Sequence, residues 1–212
     1  MKIWQKNLIR IVNPLLKKLE PVHGRDHSER VFKYCLIFAK DYKKVEMDAL
    51  FAAAWFHDLG YEKLKNGIGN HGCFAEDFVD LLLKRSGAPL RISHLTKQII
   101  LNHDKKEVRQ KNLPVEVYIF HDADKIEGLG ALGASRQLTY SGGVGKKIWD
   151  PGKKRNSSLP YGGNFSALHT ILDYHLKARF YTKKGKEVAK KRKEFTRLFV
   201  KNFFQEWNLK NI

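Results

Sequence analysis

Cysteine is scarce. Only Cys35 and Cys73 occur in 212 residues. They form no CxxC pair, and each falls inside a helical pattern where a small buried thiol is ordinary, so a reduced, cytoplasmic protein is expected. No apolar run approaches the roughly 18 residues of a membrane span, and no membrane partner is expected. The opening MKIWQKNLIRIV lacks the small-residue cleavage site of a secretory signal, in line with the same compartment. Strand-like alternation never persists beyond a few residues and no internal repeat is present. No GxGxxG follows a strand pattern, which excludes a dinucleotide loop of that kind. The stacked aromatic motif of an RNA-reading module is also missing. Acidic residues are few, 22 against 40 Lys and Arg, giving a formal charge of +18.

That charge calls for either an anionic partner or a solubility strategy. The basic residues concentrate at 146–155 and at 183–193 (KKGKEVAKKRK). A solvated lysine-rich helix face is one account; phosphate-rich small molecules or a nucleic acid are the others. A hydrophobic content of 42% and this length fit one domain over residues 1–212 with a real core.

What the chain does contain is helical periodicity with histidines and carboxylates at the ends of apolar stripes. In MDALFAAAWFHDLGY, Leu50, Ala53, Ala54, His57 and Asp58 recur at i, i+3, i+4, i+7 and i+8, which places an imidazole and a carboxylate on the buried side. A buried carboxylate needs a cation, and a neighbouring neutral imidazole favours a metal. In HGRDHSERVFKYCLIF, His27 heads a stripe with Val31, Tyr34, Cys35 and Phe38. Arg30 stands near the same end, to meet a phosphate or to pair with Asp26 or Glu29; Asp26 is alternatively the helix cap. His71 begins another stripe, and His103 closes the helix that starts at Arg91.

In LPVEVYIFHDADKIEGLGALGASR, Val117, Phe120 and Asp124 share the packed face, while His121 and Asp122 turn away or to the flank. Lys125 and Arg136 stand nearby as phosphate partners. The small residues of GLGALGAS imply close backbone approach despite the propensity cost of about 1 kcal/mol per Gly. Glu62, four residues past Asp58, is either a water-orienting base or a solvent-exposed Glu.

The remaining segments carry less chemistry. Residues 1–20 form a flank, two short helical pieces broken at Pro14. Residues 141–164 form a Gly, Pro and Lys-rich loop that either closes over an anionic substrate or stays solvated. Residues 165–207 supply two closing helices, 165–180 and 186–207, with His169 at the surface and His175 in the core. The expected fold is all-α, with at least five core helices.

Two imidazoles and two carboxylates on three helices, His27, then His57 and Asp58, then Asp124, suit a divalent ion such as Mn, Mg, Co, Ni, Fe or Zn. The segments HGRDHSERV, AAAWFHDLG and HDADKIEGLGALGASR, in that order, resemble the HD-domain metal-dependent phosphohydrolases. The likeness runs from about His23 into the C-terminal helices. It is strongest to small bacterial HD proteins associated with nucleoside triphosphate pyrophosphohydrolase activity. The resemblance implies a metal site in the helix core with His27, His57, Asp58 and Asp124 as ligands. It also implies that His71 and His103 face substrate phosphates or a second metal, and that Arg30 and Lys125 are the basic residues beside the site. Two positions depart from the pattern: Gly24 stands where many relatives have Asp, and Lys125 where Arg is common. A lysine is a point charge rather than a bidentate fork.

The expected activity is hydrolysis of a nucleotide by an activated water, with Glu62 and Asp58 as catalytic carboxylates and Arg30, His71, His103, Lys125 and Arg136 holding substrate. The competing readings are a nucleic-acid phosphodiesterase and an HD-like module that binds nucleotide or nucleic acid without turnover.

Overall fold

The computed structural model describes residues 1–19, 21–63, 71–110, 112–154 and 165–209, less the side chains of Glu62, Lys63, His71, Cys73 and Phe74. Their regular structure is helical, as the missing strand alternation requires, and one isolated parallel bridge joins Lys147 and Ser166. The helices are α1 (Ile3–Leu16), α2 (Arg25–Phe38), α3 (Met47–Phe56), α4 (His71–Glu76), α5 (Val79–Ser86) and α6 (Ser93–His103). They are followed by α7 (Val115–Lys125), α8 (Gly130–Gly143), α9 (Ala167–Thr170) and α10 (Lys183–Trp207).

α3 is the axis of the fold. Its apolar residues show no single stripe. Every residue from Asp48 to Phe56 is buried, which is what a helix apolar on all sides requires. α2, α6 and α7 pack around it. α2 contributes His27, Val31, Cys35 and Phe38 at the expected spacing, and α6 contributes Ile99, Asn102 and His103. α1 covers the outer side, with Trp4 edge-on to Phe51 at 5.5 Å between ring centroids. This helix is continuous where two pieces were expected. Pro14 lies exposed in its last turn, and the carbonyl left without its amide partner belongs to exposed Arg10, so water serves it.

The C-terminal third packs on α7 and α8. α9 is short and passes into one π-helical turn, Ile171–His175, so the segment departs from the regular helix expected over 165–180. Such turns are frequent at functional sites, and this one delivers His175 to a cavity described below. His169 is buried, not at the surface: its Nδ1 meets Ser166 Oγ at 2.7 Å and its Nε2 meets the Lys153 carbonyl at 3.2 Å. Trp149 stacks on it at 4.5 Å. The described part of the basic loop is thereby held against α9 and α10, while Arg155 and the rest to residue 164 lie outside the described residues.

α7 also corrects the sequence reading. His121 and Asp122 are fully buried rather than turned outward. The Asp122 carboxylate accepts from the backbone N–H of Tyr181 (3.0 Å), the N–H of Thr182 (2.7 Å) and the Thr182 hydroxyl (2.7 Å). Thr182 in turn caps α10, accepting from the Gly185 N–H at 3.0 Å. A Cβ on Gly185 would overlap both Asp122 and Thr182, so only glycine permits the contact. Gly133 serves the same purpose against the Gly128 backbone, which explains the small residues at the start of α8.

Replacing Asp122 with Ala leaves the start of α10 without its buried acceptor. The expected loss of stability is on the order of 3 kcal/mol, read from urea denaturation, because several charge-assisted hydrogen bonds go together.

Candidate metal centre

Three helix ends converge on one point. His27 sits in the first turn of α2, His57 and Asp58 follow the end of α3, and Asp124 lies in the last turn of α7. The Nε2 atoms of His27 and His57 are 3.2 Å apart. Asp58 Oδ2 is 3.4 Å from the first and 3.1 Å from the second. Asp124 Oδ1 completes the group at 3.5 Å from His27 Nε2 and 3.9 Å from His57 Nε2. Donors held about 2.1 Å from a single ion stand roughly 3.0–3.4 Å from one another, so this spacing suits one divalent cation. His27, His57 and Asp124 each offer a ligand atom within 4.8 Å of the others.

The orientation of both imidazoles supports the same conclusion. His57 Nδ1 donates to the Ala54 carbonyl at 3.1 Å, which leaves the Nε2 lone pair directed at the cluster. His27 Nδ1 lies 3.4 Å from Glu127 Oε2, and that carboxylate fixes the other ring in the equivalent sense. Metal-binding histidines characteristically donate their second N–H to a carbonyl or carboxylate in this way.

Electrostatics follow from burial. Desolvation works to raise the Asp58 pKa, but His57, His23 and His27 outweigh it and hold the carboxyl well below its ordinary value. Asp124 is likewise held well down against burial, by Lys125 and then by the surrounding histidines. His57 is buried, which disfavours its charged form, yet the two aspartates raise its pKa. Both aspartates are therefore ionised beside imidazole nitrogens, a donor set that suits a cation.

Glu127 was not singled out from the sequence. It is fully buried and receives Arg30 Nε at 2.7 Å, with Arg136 Nη1 at 3.8 Å. The signal was available: a Glu three residues past Asp124 at a helix end, within reach of two arginines, resembles an ordinary surface residue only while the fold is unknown. Its contacts also place Arg30. That guanidinium is divided between Glu127 and Asp26 Oδ2 (2.7 Å), the ion-pair alternative, and does not line the cavity.

The cavity opens beside the cluster. Its wall includes His27, Asp58, His103, Asp124, Lys125, Glu127 and Arg136, together with Gln137, Tyr140, Thr170, Tyr174 and His175. Lys125 is buried, with Nζ 3.0 Å from Asp124 Oδ2 and 5.2 Å from the centre of the Tyr174 ring. His103 packs edge-on to His57 at 5.1 Å, its Nδ1 on the Ile100 carbonyl. Arg136 lines the wall while its Nη2 donates to the Val22 carbonyl at 2.6 Å. None of residues 144–154 lines the cavity. The side chains of Glu62 and His71 lie outside the described residues, although the backbone puts Glu62 in the turn after Asp58 and His71 at the head of α4, which packs on that turn.

The HD domain family profile matches residues 24–129, half of the chain and the span that holds all four converging side chains. The chain belongs to the HD domain family. Solved structures agree with the fold. A protein from Lactobacillus plantarum is 26% identical over 99% of both chains, with a TM-score of 0.82. An HD-superfamily hydrolase from Bacillus thuringiensis is 22% identical over 96% of both, with a TM-score of 0.63. YpgQ from Bacillus subtilis, solved in complex with ADP, is 18% identical over 96% of this chain and 94% of its own, with a TM-score of 0.67. No curated protein matches the chain. Among the described residues no helix is long and apolar enough to cross a membrane.

Two outcomes are expected. Glu127→Ala releases His27 from its tether and lowers Mn affinity by roughly 10- to 100-fold in isothermal titration, with Glu127→Gln closer to the parent. His175 gives a pH effect. Burial, with Lys125 and Arg136 nearby, pushes its pKa down to about 3 from an ordinary 6.5. The unfolded chain therefore takes up a proton that the native HD domain refuses, and stability falls as pH drops from about 6.5 toward 3. Urea midpoints at pH 7.5 and 5 should diverge less in His175→Gln than in the parent.

Proposed function

We propose that this HD-domain protein is a metal-dependent phosphohydrolase of nucleotides, and more narrowly a nucleoside triphosphate pyrophosphohydrolase. The observation that carries the reading is the convergence of His27, His57, Asp58 and Asp124 beside a cavity whose wall includes His27, both aspartates and the buried Lys125. Nitrogen and carboxylate donors of this set would hold Mn, Mg, Co, Ni, Fe or Zn. A bound divalent ion supplies Lewis acidity and an acidified water.

The chain's own residues account for the rest. Lys125 stands beside Asp124 where a phosphate oxygen entering the cavity meets a positive charge, and it offsets charge that builds on the phosphoryl group. As an ammonium it fixes that oxygen as a point contact and not as a bidentate grip. His103 and Arg136 border the same space and orient the substrate, and His71 joins them from the head of α4. Glu62, in the turn after Asp58, is the base that aligns water, with Asp58 serving as both ligand and catalytic carboxylate. Arg30 acts through Glu127 and not on substrate. ADP in the Bacillus subtilis relative supports a nucleotide ligand.

The test is a panel of nucleoside triphosphates with Mn, Mg, Co or Ni, assayed for both phosphate and pyrophosphate. Pyrophosphate release that stops on chelation, and is abolished in His57→Ala and in Asp124→Ala, is expected. Release of phosphate alone would replace the narrower assignment. Turnover that survives chelation and both substitutions would remove the broader one.

A further inference from the structure

We propose that His23, Tyr61 and Tyr140 form a nucleobase slot in the cavity wall, one sugar away from the histidine and aspartate cluster. The slot rests on the nucleotide reading and narrows it, because it sets which phosphate reaches the cluster. All three residues line the cavity, and all three are half-buried. The chain ties two of them to the cluster directly. His23 closes the turn Pro21–His23 just before His27, and Tyr61 lies in the turn Leu59–Lys63 just after Asp58. Tyr140 comes from the last turn of α8.

The rings meet at a corner. His23 lies flat against Tyr61, with 4.1 Å between ring centroids and 16° between planes. Tyr140 meets His23 at 5.5 Å and 73°. A flat heterocycle entering such a corner lies parallel to one ring and edge-on to the next, the two arrangements that aromatic pairs prefer. Lys146 Nζ, 5.5 Å from the centre of the Tyr140 ring, steadies that side by a cation–π contact.

Other tyrosines have other work. Tyr34, Tyr42, Tyr118 and Tyr181 pack against the apolar core. Tyr174, also on the cavity wall, is buried, with its hydroxyl on the Asp104 carbonyl at 3.1 Å and Lys125 Nζ over its ring, so it belongs with the phosphate-binding lysine. The half-covered rings of His23, Tyr61 and Tyr140 instead hold apolar surface at the cavity that a planar ligand removes from water. A sugar phosphate has no flat face to offer them, whereas every nucleobase does. The His23 ring is 6.3 Å from the His27 ring. A pentose bridges a gap of that order, so a nucleotide whose base fills the slot brings its sugar-linked phosphate to the cluster.

The experiment is isothermal titration of the full chain, in Mn, with AMP and with ribose 5-phosphate, which differ in the base alone. The parent should bind AMP about 10- to 100-fold more tightly, the range that base stacking on an aromatic side chain provides. Combining Tyr61→Leu with Tyr140→Leu should remove most of that difference by weakening AMP and leaving ribose 5-phosphate near its parent affinity. Combining Tyr61→Phe with Tyr140→Phe keeps the rings and should keep the difference. Equal affinity of the parent for the two ligands overturns the slot. So does an equal loss for both ligands in the Leu pair, or a Phe pair that loses as much as the Leu pair. The two readings fail separately. A chain that prefers AMP but releases neither phosphate nor pyrophosphate from any triphosphate keeps the slot and loses the hydrolase, and turnover without that preference does the reverse.

Discussion

Ionised carboxylates inside a helical core impose the constraint on which this structure depends. Asp58 is 3% exposed and Glu127 is wholly buried, and Asp124 stands beside them. Each would cost several kcal/mol of desolvation if left without a positive or metal-binding neighbour. The fold answers by ending α3 and α7, and starting α2, at the same place. Imidazoles face the two aspartates, while Arg30 and Arg136 hold the glutamate behind His27. With Glu127 matched by the two arginines, Asp58 and Asp124 remain with the imidazoles as the donors that suit an ion of charge two.

α7 serves two sides of the molecule at once. Residues two apart on a helix point about 200° away from each other. Asp124 accordingly meets the histidine and aspartate cluster while Asp122 faces the opposite way and secures the start of α10. The same short segment thus links the candidate site to the attachment of the longest helix. Close backbone approaches at Gly133 and Gly185 make both junctions possible.

Much of this was legible in the chain. Helical period placed His27, His57 and Asp58 on buried surfaces, and they are buried; the resemblance to HD proteins grouped them with Asp124, and the four side chains do converge. What the period could not show is which flank of α7 is covered. His121 and Asp122 were assigned outward because one helix read alone has one packed face, whereas α7 lies between the core and α10. His169 was misplaced for a related reason: its burial depends on Trp149 and the Lys153 carbonyl, supplied by a loop with no periodicity. Glu127 escaped notice because its importance arises from Arg30 and His27, a hundred residues earlier in the chain.

The family match and the shared fold establish an HD domain, and its four convergent donors suit a cation. Whether the ion binds there is measured most directly by soaking crystals in Mn and collecting anomalous diffraction. The account predicts one strong peak within about 2.5 Å of His27 Nε2, His57 Nε2 and carboxylate oxygens of Asp58 and Asp124. A map with no peak at that point, or with ordered Mn only elsewhere on the protein, would contradict it.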